Sequence, residues 1–219
     1  MPKITKKTAA KKAPAPASPL ADMPPRRLAI LGAAFSVLMD QGYAGASTLE
    51  IATRAKVSKR ELYAEFGSKR GILEALIAST SARMQVPLAP VDVADRAGLT
   101  DVLIRYGITA LTELTQPAVL AINRLAVAEA GRSSDLGRIL DHSGREPNRL
   151  ALVALFAKAQ AKGILGAGDP DQMSAQFFSL LLGDVPVRLL LGVIAPPDAK
   201  EIQRRATAAT EAVLSLHGL

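Results

Sequence analysis

The chain has 219 residues, 49% of them hydrophobic, with 27 Lys and Arg against 20 Asp and Glu, no Cys and only two His. That is enough for one large domain or two small ones, with a globular rather than a disordered composition. Without cysteine there is no disulfide framework, thiolate zinc site or cysteine nucleophile, and His142 and His217 lack metal-ligand spacing. No catalytic residue, metal or cofactor is therefore assigned, and an enzyme is not expected.

The charge is uneven. Residues 1–85 carry 14 basic and 6 acidic side chains, whereas residues 86–219 carry 13 and 14. The N-terminal part thus suits a polyanion, either nucleic acid or an anionic membrane surface. Residues 1–25 hold five Lys, six Pro and six Ala with few large apolar side chains, which predicts a disordered basic arm. Its prolines interrupt any signal-peptide helix, and it lacks the apolar face of an interfacial one.

From Arg26 the pattern changes. Leu28, Leu31, Phe35, Leu38 and Met39 recur on one helical face until Gly42, predicting a helix from Pro25 or Arg26 to about Gln41. Ser47-Thr48-Leu49-Glu50 fits a capping box, and Ser58-Lys59-Arg60-Glu61 repeats it eleven residues on, with Val57 and Leu62 in the flanking staple positions. Two short helices over 48–55 and 59–66 have the spacing of a helix-turn-helix. Ser68 caps a fourth helix, reaching about Met84, and Pro87 and Pro90 mark a break.

Further helices are predicted at Thr100 to Leu114, Pro117 to Ala130, Ser134 to Asp141, Pro147 to Lys162, Pro170 to Leu182 and Pro197 to Leu216. Proline stands in the first turn of four of them, where a missing N–H costs nothing. The most apolar stretch, Phe177 to Ile194, contains Asp184, Pro186 and Arg188 and reads as a buried helix pair, not a membrane span. The expected fold is all-α with about nine to ten helices.

Within the helix-turn-helix, Leu62 and Phe66 are four apart and anchor the second helix, leaving Lys59 and Arg60 at its polar start. Such a helix start enters the major groove, where an Arg forks to guanine O6 and N7. Thr48 and Ser47 open the first helix, whose N-terminal amides suit phosphate; Ser47 and Ser58 are also the caps. Lys69, at the start of the fourth helix, adds a mobile cation.

The residues Ile30-Leu31-Gly32-Ala33-Ala34-Phe35, Gly42-Tyr43, Ser47-Thr48-Leu49-Glu50-Ile51-Ala52, Ala55, Val57-Ser58-Lys59, Leu62-Tyr63, Phe66 and Ser68-Lys69 resemble the DNA-binding domain of TetR-family transcriptional regulators. The likeness spans roughly residues 26–77, and Arg145 to Val193 is loosely similar to the AefR-like branch. It implies phosphate contacts by Tyr63 and Lys69, and DNA binding by Ser47, Thr48, Ser58, Lys59, Arg60, Tyr63 and Lys69 together. Two positions depart from the family: Lys56 stands at a turn usually given to Gly, and Arg60 where a small residue is common. A non-Gly residue held at positive φ costs on the order of 1 kcal/mol, so the turn either differs or carries strain.

After the basic arm over 1–25, the resemblance implies two further parts: a helix-turn-helix domain with its connecting helix over 26–85, and a helical effector-binding and dimerisation domain over 86–219. The dimer seam falls on the last two long helices. Tyr106, Asn123, Phe156, Gln160 and Phe177 are the candidate lining of an effector pocket. The expected protein is a cytoplasmic, nucleoid-associated homodimeric repressor, released from a pseudo-palindromic double-stranded DNA operator by a small molecule, with no membrane partner. The competing readings are a non-specific or ligand-independent DNA-binding protein, and an activator.

Overall fold

The computed structural model describes residues 23–88 and 92–218. The basic arm, up to residue 22, therefore lies outside the described residues; Met23 already packs on the first core, and Pro25 begins the first helix. The described residues form α1 (Pro25–Gly45), α2 (Thr48–Ala55), α3 (Lys59–Phe66), α4 (Lys69–Gln85), α5 (Arg96–Leu114), α6 (Pro117–Glu129), α7 (Asp135–Leu140), α8 (Glu146–Ala161), α9 (Pro170–Leu182), α10 (Val185–Leu190) and α11 (Ala199–Leu216). The fold is all-α, with no strand among the described residues, and α9 with α10 is the helix pair expected over Phe177 to Ile194.

Local chemistry sets most boundaries. Gly42, at φ 72° and ψ 173°, breaks α1 near Gln41, and the short turn Tyr43 to Gly45 follows it. Ser58 caps α3 with a complete box: its side chain accepts from the Glu61 N–H at 3.1 Å and the Glu61 carboxylate accepts from the Ser58 N–H at 2.8 Å. The first box is only half formed. Ser47 accepts from the Leu49 and Glu50 amides, but the Glu50 carboxylate turns to Arg54 at 2.8 Å, because a guanidinium one turn on is a stronger partner than a neutral N–H. The α5 helix starts one turn before the expected Thr100, since the Asp95 carboxylate accepts from the Gly98 N–H at 2.8 Å.

Residues 134–162, expected as two helices, run on without a break. Asp141–Arg145 forms a π turn in which the Glu146 N–H bonds the Asp141 carbonyl, and Pro147 follows in the first turn of α8.

Two large hydrophobic cores result, with a small cluster of Leu120, Val185 and Leu189 between α6 and α10. The first joins α1 to α4 through Ile30, Val37, Ile51, Leu62 and Ile72, and takes in Ile122 of α6 and Leu136 of α7. The second is built from α5, α8, α9 and α11 around Leu103, Phe156, Phe177 and Val213. The α4 helix serves both, with Ile77 in the first and Met84 in the second. Among the described residues α1 alone is long and apolar enough to cross a membrane, and its Ile30, Leu31, Ala34, Val37 and Leu38 are buried in the first core.

Candidate nucleic-acid interface

The helix-turn-helix is held from behind. Leu62 and Phe66 are buried, as their spacing predicts, and α1 grips α3 through ion pairs from Arg26 to Glu61 and from Arg27 to Glu65. The Arg27 guanidinium also lies 4.8 Å from the centre of the Phe66 ring. The Arg26 guanidinium, together with the Ser58 amide and hydroxyl, brings the Glu61 carboxyl down to about 2. No local spacing announces these pairs, because the partners are far apart in the chain. Between α2 and α3, Lys56 adopts φ 54° and ψ 44°, a left-handed turn carried by a residue other than glycine.

The outer face gathers polar groups from both helices. Tyr63 is 40% exposed, and its hydroxyl lies 3.1 Å from the Thr48 hydroxyl, tying the start of α2 to α3. The Lys59 ammonium stands 5.8 Å from the centre of the Tyr63 ring, and exposed Arg60 has no ion-pair partner among the described residues. Thr48, Lys59 and Tyr63 therefore form one cluster beside Arg60. Leu49, next to Thr48 in the first turn of α2, is also exposed.

The other three expected contacts are already engaged within the protein. Ser47 and Ser58 are helix caps. The Lys69 ammonium donates to the carbonyls of Tyr43 at 2.7 Å and Ala46 at 3.1 Å, and sits 4.7 Å from the centre of the Tyr43 ring. It thereby fastens the segment that delivers Ser47 and Thr48.

A cavity of about 1130 Å³ opens between the two cores, walled by α1, α4, the end of α5, α6, α7, the π turn, α8 and α9. Of the five side chains expected around an effector, Asn123 lines it. Tyr106 is buried behind the wall and donates to Asn148 Oδ1 at 3.2 Å; burial pushes its phenol well above the ordinary range. Asn148 in turn donates to the Ser81 hydroxyl at 2.7 Å and to the Gly144 carbonyl at 2.9 Å, linking α5, α4, the π turn and α8. Phe156 and Phe177 lie within the second core, and the Gln160 amide braces the Gly166 and Gly168 carbonyls. No group of three His, Asp or Glu suited to a metal occurs among the described residues.

Comparison with known proteins agrees with this architecture. Residues 30–76 match the bacterial regulatory proteins, tetR family, and residues 101–218 match the AefR-like transcriptional repressor, C-terminal domain. The chain is 28% identical over 185 residues to the uncharacterized HTH-type transcriptional regulator YvkB of Bacillus subtilis (strain 168), covering 83% of this chain and 93% of that protein. A solved TetR transcriptional regulator from Agrobacterium tumefaciens is 31% identical with a TM-score of 0.72, covering 90% of this chain and 96% of that one. The flavonoid-responsive regulator FrrA is 27% identical with a TM-score of 0.68, covering 88% and 97%.

Proposed function

The chain belongs to the TetR family of bacterial regulatory proteins and is a DNA-binding transcriptional regulator; on that premise we propose that it is a homodimeric repressor released from its operator by a small molecule. The observation that carries this reading is the convergence of Thr48, Lys59 and Tyr63 beside Arg60, on a helix pair whose opposite side is buried. Arg60 and Lys59 face base edges at the start of α3, where an Arg fork selects guanine. The hydroxyls of Thr48 and Tyr63 hold one phosphate, and Ser47, Ser58 and Lys69 fix the helix starts that present them.

Two heads set one helical turn apart, about 34 to 36 Å, read a pseudo-palindrome. The seam between copies uses α9 and α11, the last two long helices, where Leu180 and Leu216 leave large apolar side chains exposed, as do Val187, Leu191 and Val193 on and after α10. The cavity between the cores receives the effector, which favours an arrangement of heads that no longer matches successive grooves. FrrA, by its name, responds to flavonoids, an example of such control in a similar protein. The setting is the cytoplasm at the nucleoid, without a membrane partner.

Selection of duplexes from a random library by the full chain tests this reading. Two half-sites one turn apart, each complex holding two chains, are expected, and a reporter behind the selected site rises in expression when the protein is removed. Recovery of a single half-site bound by one chain sinks the dimer mechanism, and a reporter that falls on removal makes the protein an activator.

A further inference from the structure

The cavity between the cores has an unusual owner for part of its wall. Leu28, Gly32 and Phe35 belong to α1, the helix that grips the recognition helix from behind. Leu28 is 39% exposed and Val127 of α6 is 68% exposed, so two large apolar side chains are left open on the lining of one space. Gly32 is in the interior of α1, where glycine weakens a helix relative to alanine, and a Cβ added there meets nothing within 4 Å. The position faces open volume, so a larger side chain placed there would project into the cavity.

The charged groups of the lining are neutralised from within. Arg83 pairs with Glu113 at 2.8 Å, Arg145 with Asp141 at 2.5 Å, and Arg149 with Glu146 at 2.7 Å and also with Asp171. A charged guest would lose its hydration and find no unpaired counter-ion. Asn123 differs. Its amide nitrogen donates to the Val119 carbonyl at 2.8 Å; a carbonyl only accepts, so the orientation is fixed and Oδ1 is left as an acceptor with no donor among the described residues.

From these observations we infer that the cavity binds an uncharged, largely apolar ring compound carrying a hydroxyl or N–H donor, held directly between α1 of the DNA-binding head and α6, α8 and α9. The inference rests on the effector reading above and names both its ligand class and its route. Phe35 and Phe178 supply ring faces, and the volume of about 1130 Å³ admits a molecule of several rings. The donor meets Asn123 Oδ1. Movement of α1 reaches α3 at once, through Arg26 to Glu61 and Arg27 to Glu65.

The experiment titrates the full chain with the neutral dye Nile red, followed by its fluorescence, and displaces it with 4-phenylphenol or biphenyl-4-carboxylate. Gly32→Leu fills the cavity from α1, Ala175→Leu fills it from α9, and Leu150→Ser alters an exposed apolar site on α8 outside both the cavity lining and the proposed seam; circular dichroism verifies that each folds. Both filling variants are expected to weaken dye binding at least tenfold and Leu150→Ser less than twofold, with the phenol displacing dye at least tenfold better than the carboxylate. Unchanged dye binding by Gly32→Leu overturns the shared wall, and equal displacement by the carboxylate overturns the uncharged class. Operator anisotropy on the same samples keeps the two readings apart: a phenol that displaces dye from the wild type, but not from the filled variants, supports the site even where operator affinity stays constant, a result that instead sinks effector release.

Discussion

Tyr63→Phe removes one oxygen from the proposed DNA surface and leaves the ring that packs beside Lys59. The lost hydroxyl lies 3.1 Å from the Thr48 hydroxyl on a side chain 40% exposed, so folding suffers little: about 0.5 kcal/mol, or a Tm change of about 2 °C or less. Its effect on DNA is larger. A hydrogen bond to a charged acceptor contributes about 1.5 to 3 kcal/mol, and about 1 to 2 kcal/mol at an exposed surface, so two heads lose roughly 2 to 4 kcal/mol. That corresponds to a rise in operator Kd of about 30- to 1,000-fold. Fluorescence anisotropy with labelled operator across a salt series reads it. Because the hydroxyl carries no charge, the salt slope stays unchanged. A Tyr63→Phe protein that binds within twofold of wild type refutes the phosphate clamp, and one whose salt slope collapses shows that the loss is rearrangement of the head.

Gly71→Ala places a Cβ on the Phe66 carbonyl oxygen, backbone that cannot swing aside, and is expected to cost about 2 kcal/mol net by calorimetry, whereas Gly137→Ala, with nothing within 4 Å, gains about 0.5 to 1 kcal/mol. Lys69→Met keeps the stem but removes the donor that serves the Tyr43 and Ala46 carbonyls; a loss of about 1 to 2 kcal/mol and faster proteolysis between α1 and α2 are expected, and unchanged protection would contradict the fastening role. Glu61 has its pKa lowered to about 2 from 4.5 by Arg26 and Ser58, so its contribution to stability is complete above about pH 4.5 and fades as the pH falls toward 2. Urea midpoints of wild type and Glu61→Gln should therefore differ most near neutrality and converge in acid; a gap independent of pH argues against the pairing.

The helix-turn-helix was legible because its determinants are local. Ser58 and Glu61 are three residues apart, Leu62 and Phe66 four, and Gly42 ends the helical pattern by its own conformation. Lys56 was legible as a conflict, and the left-handed turn it adopts is the conformation for which glycine is preferred. Competition between partners was less legible: Glu50 prefers Arg54 to the backbone amide of its own cap, and Arg54 also reaches Asp40 at 2.5 Å. The grouping of α6 and α7 with the first core depends on how helices stack, which periodicity does not encode. The same holds for the cavity. Tyr106, Phe156 and Phe177 are large side chains that fill space as readily as they line it, and only the packed helices decide that they fill while Asn123 lines.

Sequence-directed DNA binding is the centre of the account, and one comparison tests it most directly. The Kd of the full chain is measured at a single fixed salt concentration for its selected duplex and for a shuffled duplex of the same length and composition. The account predicts a preference of about 10³-fold or more for the selected site. Equal affinities for the two, with equal salt slopes, would make the convergence of Thr48, Lys59, Arg60 and Tyr63 a general polyanion surface and contradict the account.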